Sequence, residues 1–159
     1  MSRYFRRFYN ADPMVEIDEV TARQGGSYVE EIAQPIRAFR CFAANRPTAL
    51  IYSGWDDPSQ PLADAKARGE GLPVTIYSPV ERSSDGHQRW RTWYADAAGQ
   101  VEKILEPEMD SDGRYLKESY RGPAGELRSY QEYVYDRDDE LLEVVTHAPD
   151  GSILNRQHS

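Results

Sequence analysis

The densest chemistry in the chain lies in "RWRTWY", where Arg89, Trp90, Arg91, Trp93 and Tyr94 fall within six residues. Side chains alternate between the faces of an extended strand. Trp90 and Tyr94 therefore share one side and Arg89, Arg91 and Trp93 the other, so a large ring stays accessible whichever face is buried. Trp, Tyr and Arg dominate binding hot spots because they bury much area and still carry a polar or charged end. A second group, Tyr130, Tyr133 and Tyr135 in "SYQEYVYD", adds rings on an alternating stretch. The candidate interaction surface is thus Trp90, Arg91, Trp93, Tyr94, Tyr130, Tyr133 and Tyr135, and its chemistry is recognition. "RYFRRFY" mixes cations and rings as a platform for single-stranded nucleic acid does. The formal net charge of -8 repels phosphate backbones, so nucleic acid is not an expected partner.

Signatures of catalysis are missing from the sequence. His87, His147 and His158 include no two at metal-ligand spacing on a plausible common strand or helix. "DSDG" at Asp110 to Gly113 begins like a calcium loop, but no bidentate Glu follows at the required offset, and hairpin turns select Asp and Gly anyway. The same holds for Asp136, Asp138 and Asp139. Paired carboxylates for acid/base work cannot be picked out of 27 acids, since such pairing is spatial. No G-x-S-x-G, P-loop or G-x-G-x-x-G stretch is present. The expectation is a non-enzymatic protein with no metal and no cofactor. The one cysteine, Cys41 in "RAFRCFA", excludes an internal disulfide and is expected to be a small buried hydrophobe. Arg37 and Arg40 nearby leave a reactive thiol open.

The elements that must position these residues are legible from the turns. Gly86, Gly99, Gly113, Gly125 and Gly151 fall 13, 14, 12 and 26 residues apart, and Asp139 occupies the skipped mark. Each interval is one strand plus one turn. Asp-Gly supplies two residues tolerant of positive φ, the condition for tight hairpin turns, at Asp85-Gly86, Asp112-Gly113 and Asp150-Gly151. Gln88, Val101, Tyr115, Leu127, Leu141 and Ile153 each follow a mark by two residues, and these are expected to be the first inward positions of their strands. Before the array, "RYFRRFYN", "MVEIDEV", "SYVEEIA", "IRAFRCFA" and "TALIYSGW" read as strands, divided by Asp12-Pro13, Gly25-Gly26, Pro35 and "ANRP". "LADAKA" is Ala-rich without β-branching, with Asp57 or Ser59 as N-cap and Gly69 or Gly71 to end it, so one short helix is expected near residues 59–69.

The resulting expectation is a mainly β, single-domain chain of 159 residues. It comprises an irregular β half (1–55), a helix-containing connection (56–72) and a β-hairpin repeat half (73–159). Together they form a many-stranded antiparallel meander that is open, curled or closed into a barrel. "YADAAGQV", "YRGPAGEL", "YDRDDEL" and "HAPDGSI" share a pattern that resembles bacterial YD-type and MORN-like hairpin repeats, over residues 85–153. That resemblance implies shells, immunity or antitoxin partners and assembly modules, and carries no functional residue across.

Charge narrows the partner. Residues 51–159 hold 12 Lys/Arg against 21 Asp/Glu, whereas residues 1–50 hold 7 against 6. An acidic field of this kind favours a protein partner with a basic surface and disfavours anionic lipid. No window approaches the roughly 20 apolar residues of a membrane span, and no apolar stretch follows Arg3, Arg6 and Arg7 as a leader would require, so a cytoplasmic protein without membrane insertion is expected. The leading expectation is a non-catalytic protein-interaction module. The alternative is a Tyr- and Trp-lined barrel or cup for a small ligand, with or without acid/base chemistry. Unpaired sheet edges would also permit homo-oligomers.

Overall fold

The structure, a computed structural model, describes residues 2–10 and 14–159. The break expected at Asp12-Pro13 lies outside the described residues. The chain opens with β1 (Arg3–Phe5), β2 (Glu16–Ile17), the helix α1 (Glu19–Gly25) and the strands β3 (Tyr28–Ile32), β4 (Ala38–Ala43) and β5 (Arg46–Ser53). The helix α2 (Ser59–Arg68) follows, then β6 (Val74–Tyr77), the two-residue strands β7 (Glu81–Arg82) and β8 (Gln88–Arg89), and β9 (Thr92–Ala95). Five longer strands complete the fold: β10 (Val101–Met109), β11 (Tyr115–Arg121), β12 (Leu127–Tyr135), β13 (Leu141–His147) and β14 (Ile153–His158). All belong to one mostly antiparallel sheet of 14 strands that does not close. A barrel lumen is therefore not formed, because β2 and β14 are each paired on one side only. Among the described residues no helix is long and apolar enough to cross a membrane.

The chain packs as two compact units, Met1–Pro79 with Trp93–Val101, and Val80–Thr92 with Glu102–Ser159. In the first, Phe5, Val29, Phe39 and Ile51 are buried together, with Phe8, Met14, Cys41 and Tyr77 packed against them. Each such buried apolar side chain contributes about 1.5–3 kcal/mol relative to exposure. A second cluster joins Tyr4, Ala22 and Tyr28 with Ile17 and Phe42, and so seats α1 through Ala22. Helix α1 corrects the strand expected in "MVEIDEV", of which only Glu16–Ile17 is extended. Asp18 accepts hydrogen bonds from the Thr21 backbone N–H at 2.9 Å and the Thr21 hydroxyl at 2.6 Å, and this cap outweighs the β-branching of Val20 and Thr21. Helix α2 occupies the segment expected to be helical and ends at Gly69.

The strands flanking α2 are the one parallel pair described in the otherwise antiparallel sheet. β5 and β6 run parallel, with Leu50 opposite Val74 and Ser53 opposite Tyr77. A helix between two strands returns the chain to the end it left, which is the connection a parallel pair requires. Helix and strand are joined by a buried polar bridge in which the Tyr52 hydroxyl donates to Asp64 Oδ2 at 2.7 Å and Arg68 Nε donates to the same oxygen at 2.6 Å.

Between residues 83 and 151 six turns repeat one geometry. In those beginning at Ser83, Asp96, Asp110, Gly122, Asp136 and Ala148, the first residue's N–H donates to the carbonyl four residues on at 2.8–3.0 Å. The fourth residue's N–H donates back to the first residue's carbonyl at 2.9–3.3 Å. Only the fourth residue of each turn is left-handed, with φ from +64° at Asp139 to +88° at Gly125 and Gly151. Asp85, Asp112 and Asp150 do not adopt positive φ, which corrects the expected Asp-Gly turn type. The two-residue turn with both φ positive lies instead at Ala44 and Asn45, between β4 and β5. The ladders of β10 through β14 each shift register next to their turn, at Glu108/Met109, Tyr120/Arg121, Val134/Tyr135 and Thr146/His147. A left-handed residue closing a turn inserts such an extra residue into one strand.

The second unit contains strands and turns only. Of its described apolar side chains in β10 to β14, those that are buried are Ile104, Pro107 and Val145. Of the six positions expected to be inward, three are exposed, Tyr115 at 40%, Leu141 at 36% and Ile153 at 49%, while Gln88, Val101 and Leu127 are half-buried. With no helix in this unit to cover a sheet face, the pleat has no dry side to point them at.

Candidate functional site

Residues directly opposite one another across a ladder share a face. Glu118 on β11 lies opposite Pro107 on β10 and Gln131 on β12. Tyr120, two residues on, lies opposite Leu105 and Ser129, and Tyr133, two residues beyond Gln131, lies opposite Val144. Simple alternation would send Tyr115 to the other side, but the register shift at the turn end of β11 brings it round. Its ring centroid is 5.7 Å from that of Tyr133, with the planes inclined at 33°. The Tyr135 hydroxyl donates to the Tyr115 carbonyl at 2.7 Å and so anchors the end of β12 to the start of β11. One face of the second unit therefore carries Tyr115, Tyr120, Tyr133 and Tyr135 around the Glu118 carboxylate.

The electrostatics of that carboxylate are unusual for an acidic chain. Burial raises its pKa above the ordinary 4.5, and Lys103 on β10 opposes the shift only by charge at a distance. No hydrogen bond or ion pair reaches Glu118 among the described residues. The Tyr115 phenol is pushed up by burial and by Glu118, and Tyr133 by burial, Glu118 and its neighbouring phenols. Tyr135 is raised by burial, against the pull of Arg114. All three phenols thus remain protonated and neutral through the ordinary pH range.

The opposite face is built differently. Along one cross-strand row Arg89, Glu108, Lys117, Glu132, Val145 and Arg156 follow in register, so charges alternate in sign from β8 to β12. Arg89 Nη2 donates to Glu108 at 2.9 Å, and Arg91 and Arg121 both donate to Glu106. Burial pushes Glu106 up, but the hydrogen bonds from Arg121 and Arg91 outweigh it and hold the carboxyl below its ordinary value. Lys117 Nζ lies 4.5 Å from the Tyr130 ring centroid, and His147 stacks on that ring at 4.7 Å. His147 Nε2 sits 2.9 Å from Glu132 Oε2, off the line a hydrogen bond needs. The contrast between the two acids is the feature of interest. Glu106 is held by two guanidinium groups, and Glu118 makes no such pair and acts on the Tyr115 and Tyr133 phenols.

The residues singled out from sequence are divided by this arrangement. Tyr133 and Tyr135 lie together on the tyrosine face. Tyr130 falls on the charged face, because it is an odd number of residues from both. Arg91 is committed to Glu106. Trp93 is 5% exposed and belongs to the interior of the first unit, so it offers no contact surface. Trp90 and Tyr94 are half-buried. Tyr115, Glu118 and Tyr120 escaped sequence reasoning, since only the register of β11 against β12 shows that they meet the other tyrosines.

Burial raises the Cys41 thiol, which packs against the Phe5, Val29, Phe39 and Ile51 cluster, so little of it is the reactive thiolate. Among the described residues no three His, Cys, Asp or Glu side chains converge as metal ligands. No family model matches the chain, and neither a curated protein nor a solved structure shows significant similarity to it.

Proposed function

We propose that the chain is a non-catalytic protein-interaction module that docks a partner with a basic surface through Tyr115, Tyr120, Tyr133 and Tyr135. On this reading it serves as an immunity- or antitoxin-type partner or as an assembly subunit, the roles its resemblance to YD-type and MORN-like hairpin arrays implies. The observation that carries the proposal is the pairing of the Tyr115 and Tyr133 rings, 5.7 Å apart, on the same face as Glu118, a half-buried carboxylate that no ion pair joins among the described residues and that Lys103 reaches only by charge at a distance. Tyrosine supplies rigid contact area at low entropic cost, with a hydroxyl for the rim. Charge supports the same partner class, since the second unit holds 16 acids against 10 bases.

The test is affinity capture from the organism of origin with wild-type chain, Tyr133→Ala, Tyr135→Ala and the exposed control Arg128→Ala, followed by identification of the retained proteins. A basic protein retained by wild type and Arg128→Ala but lost from the tyrosine variants supports docking at this face. Retention that is equal for all four chains refutes it.

A further inference from the structure

The molecule repeatedly builds one small arrangement, a cation lying over an aromatic ring and tied to a carboxylate. Arg3 lies 5.2 Å from the Phe5 ring centroid and pairs with Glu16 at 2.9 Å. Arg37 lies 4.9 Å from the Phe39 centroid and pairs with Glu31. Arg114 lies 5.3 Å from the Tyr135 centroid and pairs with Asp110 at 2.7 Å. A planar guanidinium suits such a place because it stacks on a ring while its edge donates to a carboxylate, and it is less strongly hydrated than an ammonium.

At Glu118 two of the three parts are present. Tyr115 and Tyr133 supply a pair of rings 5.7 Å apart, and Glu118 supplies the carboxylate on the same face. Around it stand Pro107 and Leu105 from β10 and Gln131 from β12, which contribute no charge. The Gln131 side chain is already engaged, its amide donating to the Thr146 hydroxyl and its oxygen accepting from the Tyr133 hydroxyl, each at 3.4 Å. Lys103 is the one cation acting on Glu118, and no ion pair joins them among the described residues. Tyr115 is 40% exposed, so a side chain from solution can reach the ring pair.

We propose that Tyr115, Glu118 and Tyr133 form an acceptor site for an arginine side chain of the partner, the guanidinium stacking on the rings and donating to the Glu118 carboxylate. This rests on the reading of the tyrosine face as the docking surface and gives that surface its central contact. The raised proton affinity of Glu118 is consistent with a carboxylate awaiting a counter-charge.

The probe is N-acetyl-arginine methylamide, titrated into the full chain and followed by amide and side-chain NMR, with N-acetyl-citrulline methylamide as its neutral isostere. The arginine probe is expected to bind with a dissociation constant on the order of 10 mM, with shifts centred on Tyr115, Glu118 and Tyr133. Citrulline should bind roughly tenfold more weakly or not at all, and Glu118→Gln should weaken the arginine probe by a similar factor. Tyr133→Leu, which keeps the carboxylate, should also weaken it, and the dispersed spectrum of each variant reports that it folds. Equal binding of arginine and citrulline, insensitivity to Glu118→Gln, or shifts confined to the acidic turns at Asp112 and Asp138 would each overturn the site. If a basic protein docks at the tyrosine face while the probe does not bind, this inference fails alone. If the probe binds while capture ignores the tyrosine variants, the docking proposal fails and the site stands.

Discussion

Removing the Asp64 carboxylate should unfasten α2 from β5. Asp64 Oδ2 accepts from the Tyr52 hydroxyl at 2.7 Å and from Arg68 Nε at 2.6 Å, and Tyr52 is fully buried. The side chains of Asp64 and Arg68 are 7% and 11% exposed. In Asp64→Ala the Tyr52 hydroxyl loses its acceptor, at about 1–3 kcal/mol for a buried orphan. Arg68 loses its counter-charge, and breaking a buried pair from one side costs about 3–5 kcal/mol. The two do not simply add. Arg68 Nη2 still donates to the carbonyls of Gln34 and Ile36 at 3.1 and 3.0 Å, which keeps part of the guanidinium satisfied. A loss of about 3–4 kcal/mol follows, a large share of the 5–15 kcal/mol typical of a domain. Tyr52→Phe deletes one donor and leaves Asp64 bonded to Arg68, at about 1 kcal/mol. Since Tyr52→Phe also removes the hydroxyl that Asp64→Ala would orphan, the double variant should fall short of the sum by about 2–4 kcal/mol. Urea unfolding of the four chains, followed by tryptophan fluorescence and far-UV circular dichroism, measures the cycle. An Asp64→Ala chain within 1 kcal/mol of wild type, or strict additivity, would refute the bridge as the fastening of the helix.

Two further outcomes follow from local geometry. A Cβ at Gly125 meets nothing within 4 Å but would sit at φ +88°, whereas one at Gly86 has φ +83° and would meet the Ser111 Cβ at 3.0 Å. Gly125→Ala should therefore cost only the left-handed strain, about 1–2 kcal/mol, and Gly86→Ala clearly more; thermal melts giving the reverse order would contradict this. Because burial raises the Glu118 pKa, the folded chain binds more protons than the unfolded one between the ordinary glutamate value and the raised one, so stability attributable to this group falls as pH rises through that window. Glu118→Gln should accordingly be more stable than wild type near pH 7, with the advantage fading in acid below the ordinary carboxyl range, and an advantage that is flat with pH would show the carboxylate is not strained by burial.

Sequence alone went furthest where backbone sterics are most demanding. Five of the six residues closing the turns between 83 and 151 are glycine and the sixth is Asp139, because few side chains tolerate the left-handed region. Their spacing therefore exposed the strands. The turn type was hidden, since Asp before Gly suits either a two-residue turn or the four-residue turn observed. Helix α1 was hidden by its β-branched residues, although Asp18 followed by Thr21 carried the capping signal. The helix in "LADAKA" is legible, and a helix joining two neighbouring strands suits the parallel pair that β5 and β6 form. The tyrosine face lay beyond single-strand alternation, because Tyr115 has the wrong parity for it and is brought round by a one-residue shift that depends on the partner strand.

That shift also explains why the two faces of the second unit differ in what they are free to do. With no helix of its own, this unit relies on cross-strand pairs, each contributing about 0.2–1 kcal/mol. The Arg89, Glu108, Lys117 and Glu132 row and the Glu106 cluster supply them from one side, and Glu106, Glu108 and Glu132 each have a cation opposite or beside them. A partner binding on that side would have to displace pairs that already hold the sheet. On the other side the rings cover one another, Tyr135 ties the turn end, and Glu118 makes no such pair, so a cation arriving there breaks nothing. The proposed docking is assigned to the tyrosine face because that is the side on which an incoming charge improves on what the fold already has.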